Sequence, residues 1–246
     1  APTQEPLPPQ ILSGRQGSGI GNGMAVREPV GVVACITPYN FPMTNCAGKI
    51  GPALACGNTV VVKPAPLDPL GVAELCRMVD SVLPPGVVNF VCGAGPEIGA
   101  ALCESPDVDM ISFTGSTAVG CQIQATAARR MQRTLLELGG KSANIIHESA
   151  DLDRALDGAL AGIFSNNGQQ CLAGSRILVQ RSIADGFIGR FVERARRLRI
   201  GPPLDPATEL GPLAYAGHLE RVLSYVQVAR AEGAELLTGG GRAPGF

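Results

Sequence analysis

Val30-Gly31-Val32-Val33-Ala34-Cys35-Ile36 is a continuous apolar run, followed at once by Thr37-Pro38-Tyr39-Asn40-Phe41-Pro42. A run of this kind reads as a strand buried on both faces, as in a parallel sheet. The loop past its carboxyl end is stiffened by a proline on each side. Further along, Thr44–Ala55 has helical spacing and stops at Gly57, and Thr59–Val62 is a β-branched strand ending at Lys63-Pro64. Leu70–Leu83 reads as a helix with Asp68 and Pro69 at its start. Val87–Val91 reads as a strand, Pro96–Cys103 as a helix, Met110–Phe113 as a strand, Ser116–Arg130 as a helix and Thr134–Leu138 as a strand. Strand, helix, strand with short turns predicts an α/β fold: a doubly wound parallel sheet with right-handed crossovers. Ligands of such a sheet bind outside the carboxyl ends of its strands.

After Gly139-Gly140 a second unit begins. Ala143–Ile146 reads as a strand, Leu152–Phe164 as a helix, Ile177–Gln180 as a strand and Ile183–Arg199 as a helix. Pro202 to Pro212 reads as a loop, Leu219–Glu232 as a helix, and Ala234–Leu237 as the start of a final strand. Residues 1–28 are rich in proline and glycine and read as an extended arm or exposed hairpin. The glycines at 17–23 lack both a preceding strand and the G-x-G-x-x-G spacing of a nucleotide loop.

Composition narrows the function. The chain has 246 residues, 45% hydrophobic and 17% charged, which supports a sizeable core rather than disorder. A net charge of −1 offers no basic face for nucleic acid and no cationic helix for a membrane surface. The longest apolar run is too short to span a bilayer, and no signal peptide is visible in the polar, proline-rich start. Eight cysteines, mostly inside apolar segments and without a C-x-x-C pair, read as reduced, buried thiols of a cytoplasmic protein. The two histidines, His147 and His218, are far apart and read as surface residues, so neither a zinc site nor a Ser-His-Asp triad is expected. Ala1 without a methionine and the stop at Phe246 both read as cut ends.

Several stretches carry candidate chemistry. Cys171 lies in the polar turn Asn166-Asn167-Gly168-Gln169-Gln170-Cys171, between an apolar helix and an apolar strand. There its thiol can face a cleft, with backbone N–H groups pointing at whatever it attacks. Asn40 is either an amide donor to an oxyanion or a cap on the next helix. Lys63 is either a ligand of a ribose hydroxyl or phosphate, or a solvated loop lysine. Gly93-x-Gly95 and Gly115-Ser116 each join a strand to a helix, as phosphate cradles or as plain turns. Glu137 ends an apolar strand beside glycines, where burial would suit it to general-base work. Gly-Lys-Ser at 140–142 is no P-loop, since Leu135 stands where that motif needs glycine.

Together these stretches resemble the aldehyde dehydrogenase family. PYNFP at 38–42, GPALACGNTVVVKP at 51–64, FTGS at 113–116, ELGGK at 137–141 and GQQCLAGSR at 168–176 follow the family's order and spacing. The resemblance implies a Rossmann-like NAD(P)-binding domain over 29–138 and part of a catalytic domain over 139–246, with residues 1–28 as an oligomerisation arm. It implies oxidation of an aldehyde to a carboxylic acid, with Cys171 as nucleophile, Asn40 at the oxyanion and Glu137 as general base. It implies cofactor contacts at Ile36, Thr37, Pro38, Lys63, Ala65, Gly95, Gly115, Ser116 and Leu138, and no metal. The cofactor is NAD or NADP, with NAD favoured. Pro66 stands where the family often has a glutamate that bonds the adenine ribose, which leaves room for NADP. At about half the usual family length, the chain reads as an internal fragment of a cytoplasmic homodimer or homotetramer. The alternative is an inactive cofactor-binding or folding module of the same family.

Overall fold

The computed structural model describes residues 27–243, so the expected arm lies outside the described residues except for Arg27 and Glu28. The chain divides into two compact units, one ending at Glu137 and the other beginning at Leu138.

The first unit alternates as the sequence predicts: β1 (Val32–Ile36), α1 (Pro42–Ala55), β2 (Thr59–Lys63), α2 (Leu70–Asp80), β3 (Val88–Phe90), α3 (Glu97–Glu104), β4 (Met110–Gly115), α4 (Thr117–Ala128) and β5 (Arg133–Leu138). The five strands form a parallel sheet in the order β3-β2-β1-β4-β5. Its central register runs Val32↔Thr59 to Ile36↔Lys63 on one side of β1 and Val33↔Met110 to Ile36↔Phe113 on the other. The winding reverses between β1 and β4, which makes the carboxyl ends of those two strands the topological switch point. Val33, Cys35, Val60, Val62, Ile50, Val72 and Cys76 form the core under α1 and α2. Each fully buried valine contributes about 1.5–3 kcal/mol of burial.

The amino ends of the strands are braced by side chains. Asn58 Oδ1 accepts from the Val30 and Gly31 N–H groups at 2.6 and 3.0 Å, and Asp109 Oδ2 accepts from Val32 N–H at 2.8 Å. Gly31 holds φ 124°, and a Cβ there would sit 2.1 Å from the Asp109 carboxylate, so only glycine fits. Several helix boundaries differ from the sequence reading, by up to three residues. α1 starts earlier, at Pro42, because proline is already set for a first helical turn. α2 stops at Asp80 rather than Leu83: the Val82 and Leu83 N–H groups bond back three residues, to the Val79 and Asp80 carbonyls, and Pro84 has no N–H with which to continue the helix.

The second unit contains β6 (Ala143–Ile146), α5 (Leu152–Phe164), β7 (Arg176–Val179), α6 (Ala184–Arg196) and α7 (Ala216–Ala231). β6 and β7 pair in parallel from Ala143↔Arg176 to Ile146↔Val179. Asp151 caps α5 by accepting from the Asp153 and Arg154 N–H groups at 3.1 and 3.2 Å. Ile146, Leu156, Ala159 and Phe187 form the core, with Phe191 stacked between Phe164 and Phe187. The arginine-rich face of α6 is spoken for, since Arg190 and Arg194 pair with Asp153 and Asp157 of α5. Ala234–Leu237 is not a strand. Among the described residues β6 and β7 pair only with each other, and the Leu237 carbonyl accepts from the Arg196 guanidinium at 2.8 Å. No helix among the described residues is long and apolar enough to cross a membrane.

Candidate active site

Of the nine expected cofactor residues, Ile36, Thr37, Pro38, Lys63, Ala65, Gly115 and Ser116 lie at or just past the carboxyl ends of β1, β2 and β4, whereas Gly95 follows β3 and Leu138 ends β5. Ile36 and Thr37 close β1 and are buried, and the Thr37 N–H donates to the Lys63 carbonyl at 3.1 Å. This bond extends the β1–β2 ladder by one residue, and Pro38 then turns the chain out of it. The Thr37 and Thr114 hydroxyl oxygens are both buried with no hydrogen-bond partner. Two orphaned hydroxyls on neighbouring strands at the switch point are what a polar ligand there would satisfy.

Lys63 at the end of β2 is buried at 7% exposure, which excludes the solvated loop lysine. Its Nζ donates to the Pro64 carbonyl at 3.1 Å. An ammonium so placed, with a single neutral acceptor, is suited to a hydroxyl- or phosphate-bearing ligand. Ala65 and Asp68 close a turn beyond it, and Pro66 is exposed.

The two glycine turns separate. Gly95 lies against the Glu97 carboxylate, which sits in the first turn of α3. An anion is therefore already at that helix start. The first turn of α4 carries no acidic residue, and Ser116 caps it by accepting from Val119 N–H at 3.3 Å. Gly115 cannot be replaced without moving a ring, since a Cβ would sit 2.4 Å from Phe113. Of the two turns, α4 is the one whose helix dipole stands open to a diphosphate.

Asn40 follows this end of the sheet. It does not cap α1, whose N-cap is Phe41 without a side-chain hydrogen bond. Instead Asn40 Oδ1 accepts from Phe41 N–H at 3.1 Å, which fixes the orientation of the amide. Glu137, near the end of β5, is exposed, so the burial expected from the sequence is not there. β5 alternates exposed and half-buried positions, and Glu137 falls on its exposed side while Leu138 is half-buried.

Sequence reasoning missed Lys49. It lies on α1 at 7% exposure, and its Nζ donates to Ser112 Oγ at 3.3 Å. Burial drives its pKa down, while the nearby Cys35, Glu137 and Cys46 favour its charged form. The available signal was a lysine flanked by Cys46 and Ile50 on a helix that otherwise buries apolar groups. The cysteines also correct the sequence reading: all eight are free, but only Cys35, Cys46, Cys76 and Cys103 are buried.

In the second unit the Cys171 turn follows directly on α5. Asn166, Asn167 and Gly168 are all left-handed, at φ 49°, 55° and 72°. Asparagine tolerates this conformation better than other side chains, at a cost still on the order of 1 kcal/mol per residue. The turn is bound into its surroundings. Gly174 N–H donates to the Gly162 carbonyl at 2.9 Å, and Gln170 Nε2 to the Ser165 carbonyl at 3.3 Å. Cys171 is exposed on this framework. Gly140 approaches the Cys171 carbonyl, a Cβ there falling 3.7 Å from it. Among the described residues no group of three or more Cys, His, Asp or Glu side chains could hold a metal ion.

A parallel sheet wound in both directions, with orphaned hydroxyls, a buried lysine and a glycine turn at its carboxyl ends, defines the class of dinucleotide-binding α/β proteins. Comparison with known sequences makes this specific. The Aldehyde dehydrogenase family pattern matches residues 11–246, and the chain belongs to that family. Human retinal dehydrogenase 2 is 49% identical over 215 residues, 87% of this chain and 42% of that protein. The 2-hydroxymuconic semialdehyde dehydrogenase of Pseudomonas sp. (strain CF600) is 47% identical over 227 residues, 92% of this chain and 46% of that protein. A crystal structure of betaine aldehyde dehydrogenase from Staphylococcus aureus in complex with NAD+ matches with a TM-score of 0.86 at 42% identity, over 88% of this chain and 43% of that one. The chain thus spans less than half the length of the curated relatives it matches.

Proposed function

We propose that the protein carrying this chain oxidises an aldehyde to a carboxylic acid through Cys171, with a nicotinamide cofactor. The observation that carries the reading is the exposed thiol on a hydrogen-bonded left-handed turn, in a chain whose family match covers nearly its whole length. The thiolate attacks the carbonyl carbon, and the C=O π pair moves onto oxygen, giving a thiohemiacetal. Asn40 and the Cys171 N–H are the donors proposed for that oxygen. When bound, the cofactor supplies the acceptor for the hydride that leaves this carbon. Glu137 takes a proton from water, whose oxygen attacks the resulting thioester, and the C–S bond breaks to return the thiolate.

Thr37, Thr114, Lys63, Gly115 and Ser116 are the residues proposed to hold the cofactor, with Ile36, Pro38, Ala65, Gly95 and Leu138 beside them. Their support is the pair of orphaned hydroxyls and the buried ammonium. NAD is favoured, in line with the bound NAD+ of the Staphylococcus aureus structure. Pro66 offers no carboxylate to bond a ribose diol or to repel a 2′-phosphate, so we infer that NADP is accepted as well. The same reading places the whole protein in the cytoplasm as a homodimer or homotetramer, which cell fractionation and sedimentation measure.

The test is turnover of aldehydes with NAD and with NADP, followed by absorbance of the reduced cofactor. Cys171→Ala abolishes it if the assignment holds, and turnover retained in that variant refutes it. Asn40→Ala is expected to lower kcat by about 10²–10³-fold, the usual effect of losing one oxyanion donor.

A further inference from the structure

The turn that carries Cys171 is tied to a segment more than forty residues away. Asn167 Nδ2 donates to two carbonyls, Gly211 at 3.0 Å and Pro212 at 2.8 Å. Gln169 Oε1 accepts from Ala214 N–H at 3.0 Å. Inside the turn Asn166 and Gln169 exchange three further bonds: Gln169 N–H to the Asn166 carbonyl at 3.0 Å, Gln169 Nε2 to the same carbonyl at 3.2 Å, and Asn166 Nδ2 to the Gln169 carbonyl at 3.2 Å.

The clamp and the turn's unusual backbone coincide. Asn167 is the middle of three successive left-handed residues. A short peptide would not keep that conformation unaided, because non-glycine residues are disfavoured in it. The turn needs a partner outside itself, and 211–214 is where its side chains reach. Asn167, Gly211 and Pro212 also line one cavity of about 350 Å³ with Phe164, Leu213 and Tyr215. The clamp thus joins the turn that follows α5 to the loop that precedes α7.

We infer that Asn167 is a positioning residue for Cys171. By holding the Gly211 and Pro212 carbonyls it keeps the left-handed turn in one conformation, and so fixes the direction of the thiol and its backbone N–H. The inference rests on Cys171 being the nucleophile. Its chemical logic is that of orientation: a displacement of about 1 Å in a reacting group, caused by a residue away from the chemistry, can cost on the order of 10²-fold in rate.

The experiment uses the intact protein and two variants. Asn167→Gly keeps the left-handed backbone and removes the clamp. Asn167→Asp keeps size and left-handed preference but turns oxygen lone pairs toward the two carbonyls. Active sites are counted by iodoacetamide labelling of Cys171, located by peptide mass, and kcat is expressed per titrated thiol. Both variants are expected to lose about 10- to 100-fold in kcat per titrated thiol, with the aldehyde KM within about threefold of the parent. A residue that merely supports the fold would lower the fraction of titratable sites and leave kcat per site unchanged. That outcome overturns the inference, as does failure of both variants to fold or a kcat per site within about twofold of the parent. Cys171→Ala separates the two readings. If it keeps turnover, the nucleophile assignment fails. If it is inert while Asn167→Gly is unaffected, the clamp alone fails.

Discussion

The carboxyl end of the first unit's sheet and the Cys171 turn of the second are built in opposite ways. At the sheet end, position comes from the backbone. β1, β2 and β4 are locked in a continuous parallel register, and Thr37, Lys63 and Thr114 inherit their places from it. In the Cys171 turn, position comes from side-chain amides. Asn166, Asn167, Gln169 and Gln170 each bond a backbone carbonyl, and the backbone they hold is left-handed at three successive residues. A sheet end tolerates exchange of side chains because its frame survives them. A turn held by amides does not, because the side chains are the frame.

The largest expected effect tests the turn. Cys171→Ala should remove aldehyde turnover by at least about 10³-fold, since a nucleophile acts as a unit with the groups around it. In the same protein, cofactor binding measured by fluorescence quenching should stay within about twofold of the parent, because no proposed cofactor contact is changed. Loss of both together would break the distinction between the two regions.

Next comes the core that supports the turn. Leu156 is fully buried on α5, the helix that leads into Ser165 and the turn. Leu156→Ala should destabilise the fold by about 2–5 kcal/mol, from lost burial plus the cavity left behind. Urea unfolding followed by circular dichroism measures it. A loss under about 1 kcal/mol would mean that α5 is not anchored through this residue.

A smaller effect belongs to the sheet end. Thr37 buries a hydroxyl without a partner. Thr37→Val replaces it with a near-isostere that has nothing to satisfy, so stability should hold or rise by up to about 1 kcal/mol. Cofactor affinity should fall about 3- to 10-fold, the value of one hydrogen bond. Unchanged affinity would mean that the hydroxyl faces no ligand. The opposite signs sharpen the contrast, because a polar group that costs stability yet raises affinity is one kept for binding.

How far the sequence could be read follows the same division. The β1–α1–β2 alternation, Lys63 at a strand end and the glycines at 115 and 95 were legible because apolar runs and turn residues are local signals. Cys171 was legible as a polar interruption between two such runs. The bonds from Asn167 to Gly211 and Pro212 were not, because they join residues 44 and 45 apart and leave no periodic trace. Lys49 was hidden in a helix that otherwise buries apolar groups. The burial of Glu137 was misread because an apolar strand beside glycines suggests burial on both faces, whereas β5 is the sheet's edge and exposes every second residue. Ala234–Leu237 was misread because strand propensity says nothing of whether a pairing edge exists.

The smallest expected effect concerns the segment the turn is clamped to. His218 lies in the first turn of α7, half-buried, with its ring 5.9 Å from that of Tyr215. Burial first, and the Arg221 charge second, hold its pKa below the usual value of 6.5. The folded chain therefore binds the proton less readily than the unfolded chain, and stability is greatest with the imidazole neutral. As pH falls from about 6.5 through the lowered folded value, that stability is lost, and below this window no further change comes from His218. The group is only partly buried, so screening by solvent keeps the effect small. His218→Asn should flatten the urea midpoint against pH across this window and leave it unchanged above pH 8, where the histidine is neutral in both states. If the slope survives in His218→Asn, another group sets it.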